Sequence, residues 1–248
     1  MSESMLNGHS ATWRQAEAHI AQGCVAFLPF GAFEQHGPHL PLATDTIMAS
    51  GLARHLAARF PSILLPAVNY GETWNNETFP GTVSLSFETV RHLTLDICAS
   101  LRDDGVLGLV VVNGDYGNQA PLKLAARQAR DRLRFPVLVI DYPGLAEVAA
   151  DICETPPAGP GFYHADELET SIVLALEPDT VNMDLAVAEY PQFPVGYGAT
   201  PIPLREVSAS GVFGDPRRAS PDKGRRLLQA LTERAAALVD PFVAGLRP

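Results

Sequence analysis

Apolar residues along this chain gather into short runs. Four of them, over 25–30, 63–68, 107–112 and 137–140, are rich in Val, Ile and Leu and end at Gly, Pro, Asn or Asp. Each is too short for a helix, and its apolar positions are consecutive rather than alternate, as in strands buried on both faces of a parallel sheet. Between the runs, apolar positions recur at helical spacing. Helices are predicted over 12–21, opened by a Ser/Thr cap, over 45–60, where Ile47, Leu52, Leu56 and Ala57 align, and over 87–101 behind a Ser86 N-cap and ahead of Gly105. Two more are expected over 119–133 and 222–246. Strands alternating with helices specify βαβ units, so the expected fold is a layered α/β/α domain with a mainly parallel sheet. The Pro/Gly-rich stretches "TPPAGPG" and "YPQFPVGYGATPIPL" read as lids or subunit contacts, because the residues beyond each cannot form a separate core. Residues 1–248 are therefore read as a single domain.

Composition narrows the function classes. With 46% hydrophobic and 19% charged residues the chain is globular. A net charge of −10 disfavours a nucleic-acid partner, since phosphate contacts need a basic patch. The three cysteines, Cys24, Cys98 and Cys153, are far apart, with no spacing for a sulfur-ligated zinc and no disulfide framework. No apolar stretch approaches the roughly 20 residues that span a bilayer, and the N-terminal segment lacks the pattern of a secretory signal. A cytoplasmic protein is expected.

In an open parallel sheet, ligands bind beyond the carboxyl ends of the strands. The loops there are "GAFEQHGPHLPLATD" after the first run, "NYGETWNNETFPGT" after the second and "NGDYGNQ" after the third. All are polar and glycine-rich. Glu34 and His36 are two apart, which on an extended segment puts both side chains on one face and within reach of one ion or of two adjacent ions. Asp45 stands where a helix begins, either as a cap or as a carboxylate bridging two metals. His39, between Pro38 and Pro41, reads as a loop histidine outside the ligand set.

These stretches resemble, in order along the chain, the motifs of the creatininase (creatinine amidohydrolase) family. "GAFEQHGPHLPLATD" is similar to its first motif, and "YGETWNNETFPGTVSL" and "VVNGDYGNQ" to its second and third loops. "HADELETSIVLALEPDTVNMD" is similar to its fourth motif. The resemblance spans nearly the whole chain. It implies a creatininase-like α/β fold, one or two divalent ions (zinc, manganese or iron) and hydrolysis of a C–N bond in a small amide, lactam or formamide. Family members open creatinine, deformylate a pyrimidine precursor or trim a peptide. Carried over by motif, Glu34 and His36 would each bind a metal and Asp45 would bridge them. His164 would shuttle a proton or hold the tetrahedral intermediate, and Glu167 or Glu169 would supply a ligand or base, with Glu169 preferred. Trp74, Asn76, Tyr116 and Asn118 would be the substrate contacts. The resemblance also implies a homo-oligomer, with a hexamer as the family precedent.

The chain departs from the family at several positions. Asp115 stands where the third loop usually has a metal-ligating histidine, and Gly117 where creatininase has glutamate. Asn76 occupies a position where histidine is common, Asp166 replaces a glycine, and Tyr163 falls where creatininase has glutamate. A carboxylate at position 115 adds a hard oxygen donor, favouring manganese, magnesium or iron(II) over zinc. The leading expectation is a metal-dependent hydrolase of a small molecule other than creatinine. The alternatives are another metal-assisted reaction (ring opening at carbon, dehydration, acyl transfer to an amine) and a non-catalytic binding or assembly subunit.

Overall fold

The computed structural model describes residues 5–159 and 161–246. Five strands, β1 (Met5–Asn7), β2 (Val25–Phe30), β3 (Ser62–Leu64), β4 (Leu109–Asn113) and β5 (Val137–Ile140), form one parallel sheet in the order β1-β3-β2-β4-β5. The consecutive apolar residues of β2 and β4 serve both faces. Val25, Phe27, Val110 and Val112 pack against α2 (Thr44–Ala57) and α7 (Pro221–Ala244). Ala26, Leu28, Phe30, Leu109 and Val111 pack under α3 (Phe87–Asp103) and α4 (Gln119–Gln128). This is the expected α/β/α layering.

The caps read from the sequence are formed. Thr12 and Gln15 close a capping box on α1 (Trp13–Ile20), and Ser86 accepts a hydrogen bond from the Thr89 amide at 3.1 Å. Two expectations are corrected. The run at 63–68 pairs as a regular strand over three residues only, since Pro66 has no N–H to donate. Beyond it the Leu65 and Val68 amides still reach β2 carbonyls. The helix at 119–133 is α-helical to Gln128, and Ala129–Leu133 forms a wider π turn. Edge strand β1 and helix α5 (Leu145–Ile152), neither of them expected, join the sheet and the α7 side.

The connectivity places the site. From β2 the chain passes through α2 to β3 on one side, then returns through α3 to β4 on the other. The loops leaving β2 and β4 therefore diverge toward opposite faces and open a crevice between them, where ligands collect in such sheets. Phe30 of β2 pairs with Asn113 of β4, so both loops start at the same height. Gly114 lets them meet: a Cβ there would overlap the Asp45 carbonyl.

Candidate metal centre

Glu34 and His36 leave β2 on an extended segment, and their side chains turn the same way, with Glu34 Oε1 4.0 Å from His36 Nε2. Asp45 sits in the first turn of α2, whose N-cap position is Ala43. Its carboxylate does not cap; it lies 3.2 Å from His36 Nε2. Asp115 comes from the loop after β4, half-buried, and accepts a hydrogen bond from the Asn118 amide at 3.2 Å. Glu169 projects from α6 (Glu167–Leu176) to within 3.7 Å of His36 Nε2. Its Oε2 accepts the Ala165 amide at 2.6 Å, presented by a backbone at φ +52°, a left-handed conformation that costs an alanine about 1 kcal/mol. His164 closes the ring, 3.8 Å from Glu34 through Nδ1, its imidazole 4.4 Å from that of His36.

These side chains form three groups with donor atoms within 4.8 Å of one another: Glu34–His36–His164, His36–Asp45–Glu169 and Glu34–Asp45–Asp115. Nδ1 of His36 lies 3.2 Å from the Glu34 carbonyl oxygen, so the protonated nitrogen faces the backbone and Nε2 faces the carboxylates. That Nε2 has three carboxylates within 4.0 Å and hydrogen-bonds to none of them. Oδ2 of Asp45 is likewise buried without a partner. Buried polar atoms are almost always paired, so two orphans pointing into one cluster fit a cation that each would coordinate.

Electrostatics agree. Burial, then the neighbouring Asp115 and Asp45, pushes the Glu34 carboxyl well above its ordinary range, and burial with Asp45 does the same to Asp115. Glu169 rises to about 8, mainly through burial and against the pull of His36. Burial would depress His36, but Asp45 and Glu169 outweigh it and raise it well above normal. His164 is held well below normal by burial and by His36. Protons thus take the place of positive charge that the cluster lacks. A divalent ion held there would supply that charge and leave the carboxylates ionised and His36 neutral.

Two expected site residues are directed elsewhere. Glu167, two positions before Glu169 on α6, faces away and accepts hydrogen bonds from the Glu154 and Thr155 amides, the Thr155 hydroxyl and Lys223 Nζ. Asn118 spends its amide on structure, donating to the Gly31 carbonyl and accepting from the Glu72 amide. His39, set outside the ligands by the sequence, is buried with Nε2 2.9 Å from the Thr170 hydroxyl. Trp74, Asn76 and Tyr116 do line the cavity of about 790 Å³ above the carboxylates. Its far wall includes Phe162, Tyr163 and Tyr197, and Phe162 packs edge-on to Phe193 of the Pro/Gly-rich segment.

Three residues at the site were not anticipated. Tyr142 borders the cavity with its hydroxyl buried and unpaired, and Asp141 accepts from Asn113 while pairing with Lys123 at 2.6 Å. Gln35 lies between the two ligands of the first loop, its amide against His164. Only its place inside the motif marked it.

An α/β/α sheet with a histidine–carboxylate cluster at its reversal point has the donor set of a divalent-metal protein. The creatininase family model, described as creatinine amidohydrolase, matches residues 9–239, and the chain belongs to that family. It is 32% identical to the creatinine amidohydrolase of Pseudomonas putida, over 94% of this chain and 95% of the relative. It is 31% identical to a mycofactocin precursor peptide peptidase of Mycobacterium ulcerans, over 88% and 85%. A mutant creatininase of Zn-Zn type superposes with a TM-score of 0.85 at 29% identity, covering 96% of this chain and 98% of that one. A manganese creatininase does so with a TM-score of 0.80, also at 29% identity, covering 95% and 97%. The protein is an amidohydrolase-type enzyme with a divalent-metal centre.

Proposed function

We propose that this chain hydrolyses a C–N bond in a small, uncharged amide or lactam, using two divalent ions held by Glu34, His36, Asp45, Asp115 and Glu169. The observation that carries the reading is Asp45, which belongs to two separate donor groups and has one buried oxygen without a partner. A carboxylate so placed would be shared between an ion held by His36 and Glu169 and one held by Glu34 and Asp115. Divalent ions held there supply Lewis acidity, acidifying water and polarising the scissile carbonyl. Ala165 orients Glu169, and the Glu34 carbonyl orients His36, so the donors are preorganised.

Charge balance supports an uncharged substrate. Two divalent ions would offset the four carboxylates Glu34, Asp45, Asp115 and Glu169, and Asp141 is already paired with Lys123. Among the described residues lining the cavity there is no Lys or Arg to receive a phosphate or carboxylate. The aromatic walls suit a planar ring.

Asp115 also favours a second reading. Relatives include a 3-dehydro-scyllo-inosose hydrolase of Thermotoga maritima at 26% identity, over 96% of this chain and 85% of that one. An oxygen-rich site that polarises a ketone more than it acidifies water fits ring opening at carbon. Protein purified without chelator is assayed for bound metal, then screened with lactams, cyclic amides and formamides beside carboxylated and phosphorylated analogues. Chelator-sensitive hydrolysis confined to uncharged amides is expected. Hydrolysis undiminished after metal removal overturns the metal reading. Turnover of cyclic ketones with none of any amide selects the second.

A further inference from the structure

We infer that Gln35 is a positioning residue: its amide, anchored by Gly37 and Asn76, holds His164 in the tautomer that carries its proton on Nδ1. His164 then serves as a neutral hydrogen-bond donor into the centre rather than as a metal ligand. The inference rests on the functional reading above for what the donor faces, but its core is hydrogen-bond geometry.

The orientation of the Gln35 amide is fixed by a backbone group. The Gly37 N–H reaches Oε1 at 2.9 Å, and a backbone amide can only donate, so the other end of the side chain is the NH₂. That nitrogen has two hydrogens and two close neighbours, Asn76 Oδ1 at 2.7 Å and His164 Nε2 at 2.7 Å, with the Gly211 carbonyl farther off at 3.3 Å. An amide nitrogen donates and does not accept. His164 Nε2 must therefore present its lone pair, which in a neutral imidazole leaves the proton on Nδ1. Nδ1 is the atom that lies 3.8 Å from Glu34 Oε1.

The surroundings hold this arrangement in place. Gly211 has φ +79°, and a Cβ there would overlap the Gln35 carboxamide, so only glycine leaves room for it. Asn76 supplies the oxygen that takes the second amide hydrogen. Gln35, Asn76 and His164 are all buried, so water does not compete for these bonds.

Of the three donor groups, Glu34–His36–His164 is then not a metal position, because a protonated Nδ1 has no lone pair to give. Further, an N–H held toward the cluster is placed to stabilise the oxyanion that develops when water adds to a carbonyl, and it cannot act as a base from that atom.

The test is ¹⁵N NMR of protein labelled at histidine, with His164 assigned by the signal lost in His164→Asn, recorded metal-free and after adding Zn²⁺. A protonated, pyrrole-type Nδ1 and an unprotonated Nε2 are expected in both states. Gln35→Glu keeps an acceptor for Gly37 but offers a carboxylate to Nε2, and should exchange the two signals. Gln35→Met, which removes the contact at similar volume, should give a mixture. A wild-type Nδ1 that is unprotonated, or that shifts to a metal-bound value with Zn²⁺, overturns the inference while leaving the metal-dependent hydrolase reading intact. Unchanged His164 signals in a folded Gln35→Met also overturn it. Loss of Zn²⁺ binding in wild type would count against the functional reading instead.

Discussion

A carboxylate at position 115 gives the Glu34–Asp45–Asp115 group three oxygen donors and no nitrogen, whereas His36–Asp45–Glu169 keeps one imidazole. The two groups therefore differ in hardness, and an ion held by the all-oxygen group should be manganese, magnesium or iron(II) in preference to zinc. Asp115→His restores a nitrogen donor. Metal content after competition between equal Mn²⁺ and Zn²⁺ should move toward zinc, with total loading preserved. Unchanged selectivity would place Asp115 outside the coordination sphere. The half of the site carried by the first loop was legible in the sequence, because an i, i+2 spacing on an extended segment fixes a common face for Glu34 and His36 whatever the rest of the fold does. Glu167 and Glu169 were harder to separate. Two residues apart on a helix, they face differently, and which one faces inward is decided by how α6 docks. Gln35 was not legible, since its role depends on a partner 129 positions away.

At the scale of elements, the carboxylate that turned away from the centre has its own physical task. Glu167 at the start of α6 ties Lys223 of α7 to the 154–155 turn, and Lys223 also meets Glu154 at 2.7 Å. Hydrogen bonds from Lys223 and Thr155 outweigh burial and hold the Glu167 carboxyl below its ordinary value. Its stabilising contribution is therefore complete above the unfolded value of about 4.3 and disappears as pH falls through the lower folded one. Glu167→Gln should lower stability at pH 7 by about 2 kcal/mol, less than for a fully sequestered pair because Glu154 still holds the ammonium. Urea titrations of the two proteins should converge as pH falls from about 4.3 through the lower folded-state value, and bound metal should be unchanged. Loss of metal would mean that α6 shifts when this clasp opens. Helices α1, α2, α3 and α7 were legible from periodicity, α1 and α3 also from their caps, and the central strands β2 and β4 from their unbroken apolar runs. Strand β1 was not, because three residues carry no period. Helix α5, two turns long, follows a Tyr142–Gly144 turn with positive φ at both residues and has no side-chain cap to announce it.

For the molecule as a whole, the centre sets folding stability against metal binding. Glu34, Asp45, Asp115 and Glu169 are gathered at one sheet edge in a chain that already carries a net charge of −10. Without metal, Glu169 titrates at about 8 in the folded state, against about 4.3 for an unfolded glutamate. The folded protein binds the extra proton, so metal-free stability should fall as pH rises from about 4.3 to about 8, and Glu34 and Asp115, raised in the same direction, deepen the slope. Bound metal reverses the sign. It competes with those protons, so its contribution grows with pH over the same interval, and free Mn²⁺ at 100 times its dissociation constant adds about 2.7 kcal/mol. Thermal melts at pH 5.5, 6.5 and 7.5 should therefore show Tm falling with pH in EDTA and rising, or holding level, in excess Mn²⁺. Asp45→Asn removes a charge common to two of the donor groups. It should flatten the EDTA curve, leave the metal-free protein at least as stable as wild type at pH 7.5, and abolish the gain from Mn²⁺. Parallel curves with and without metal would mean that the carboxylates ionise independently of any ion. An Asp45→Asn protein less stable than wild type in EDTA would mean that this carboxylate is held by the fold rather than for a cation.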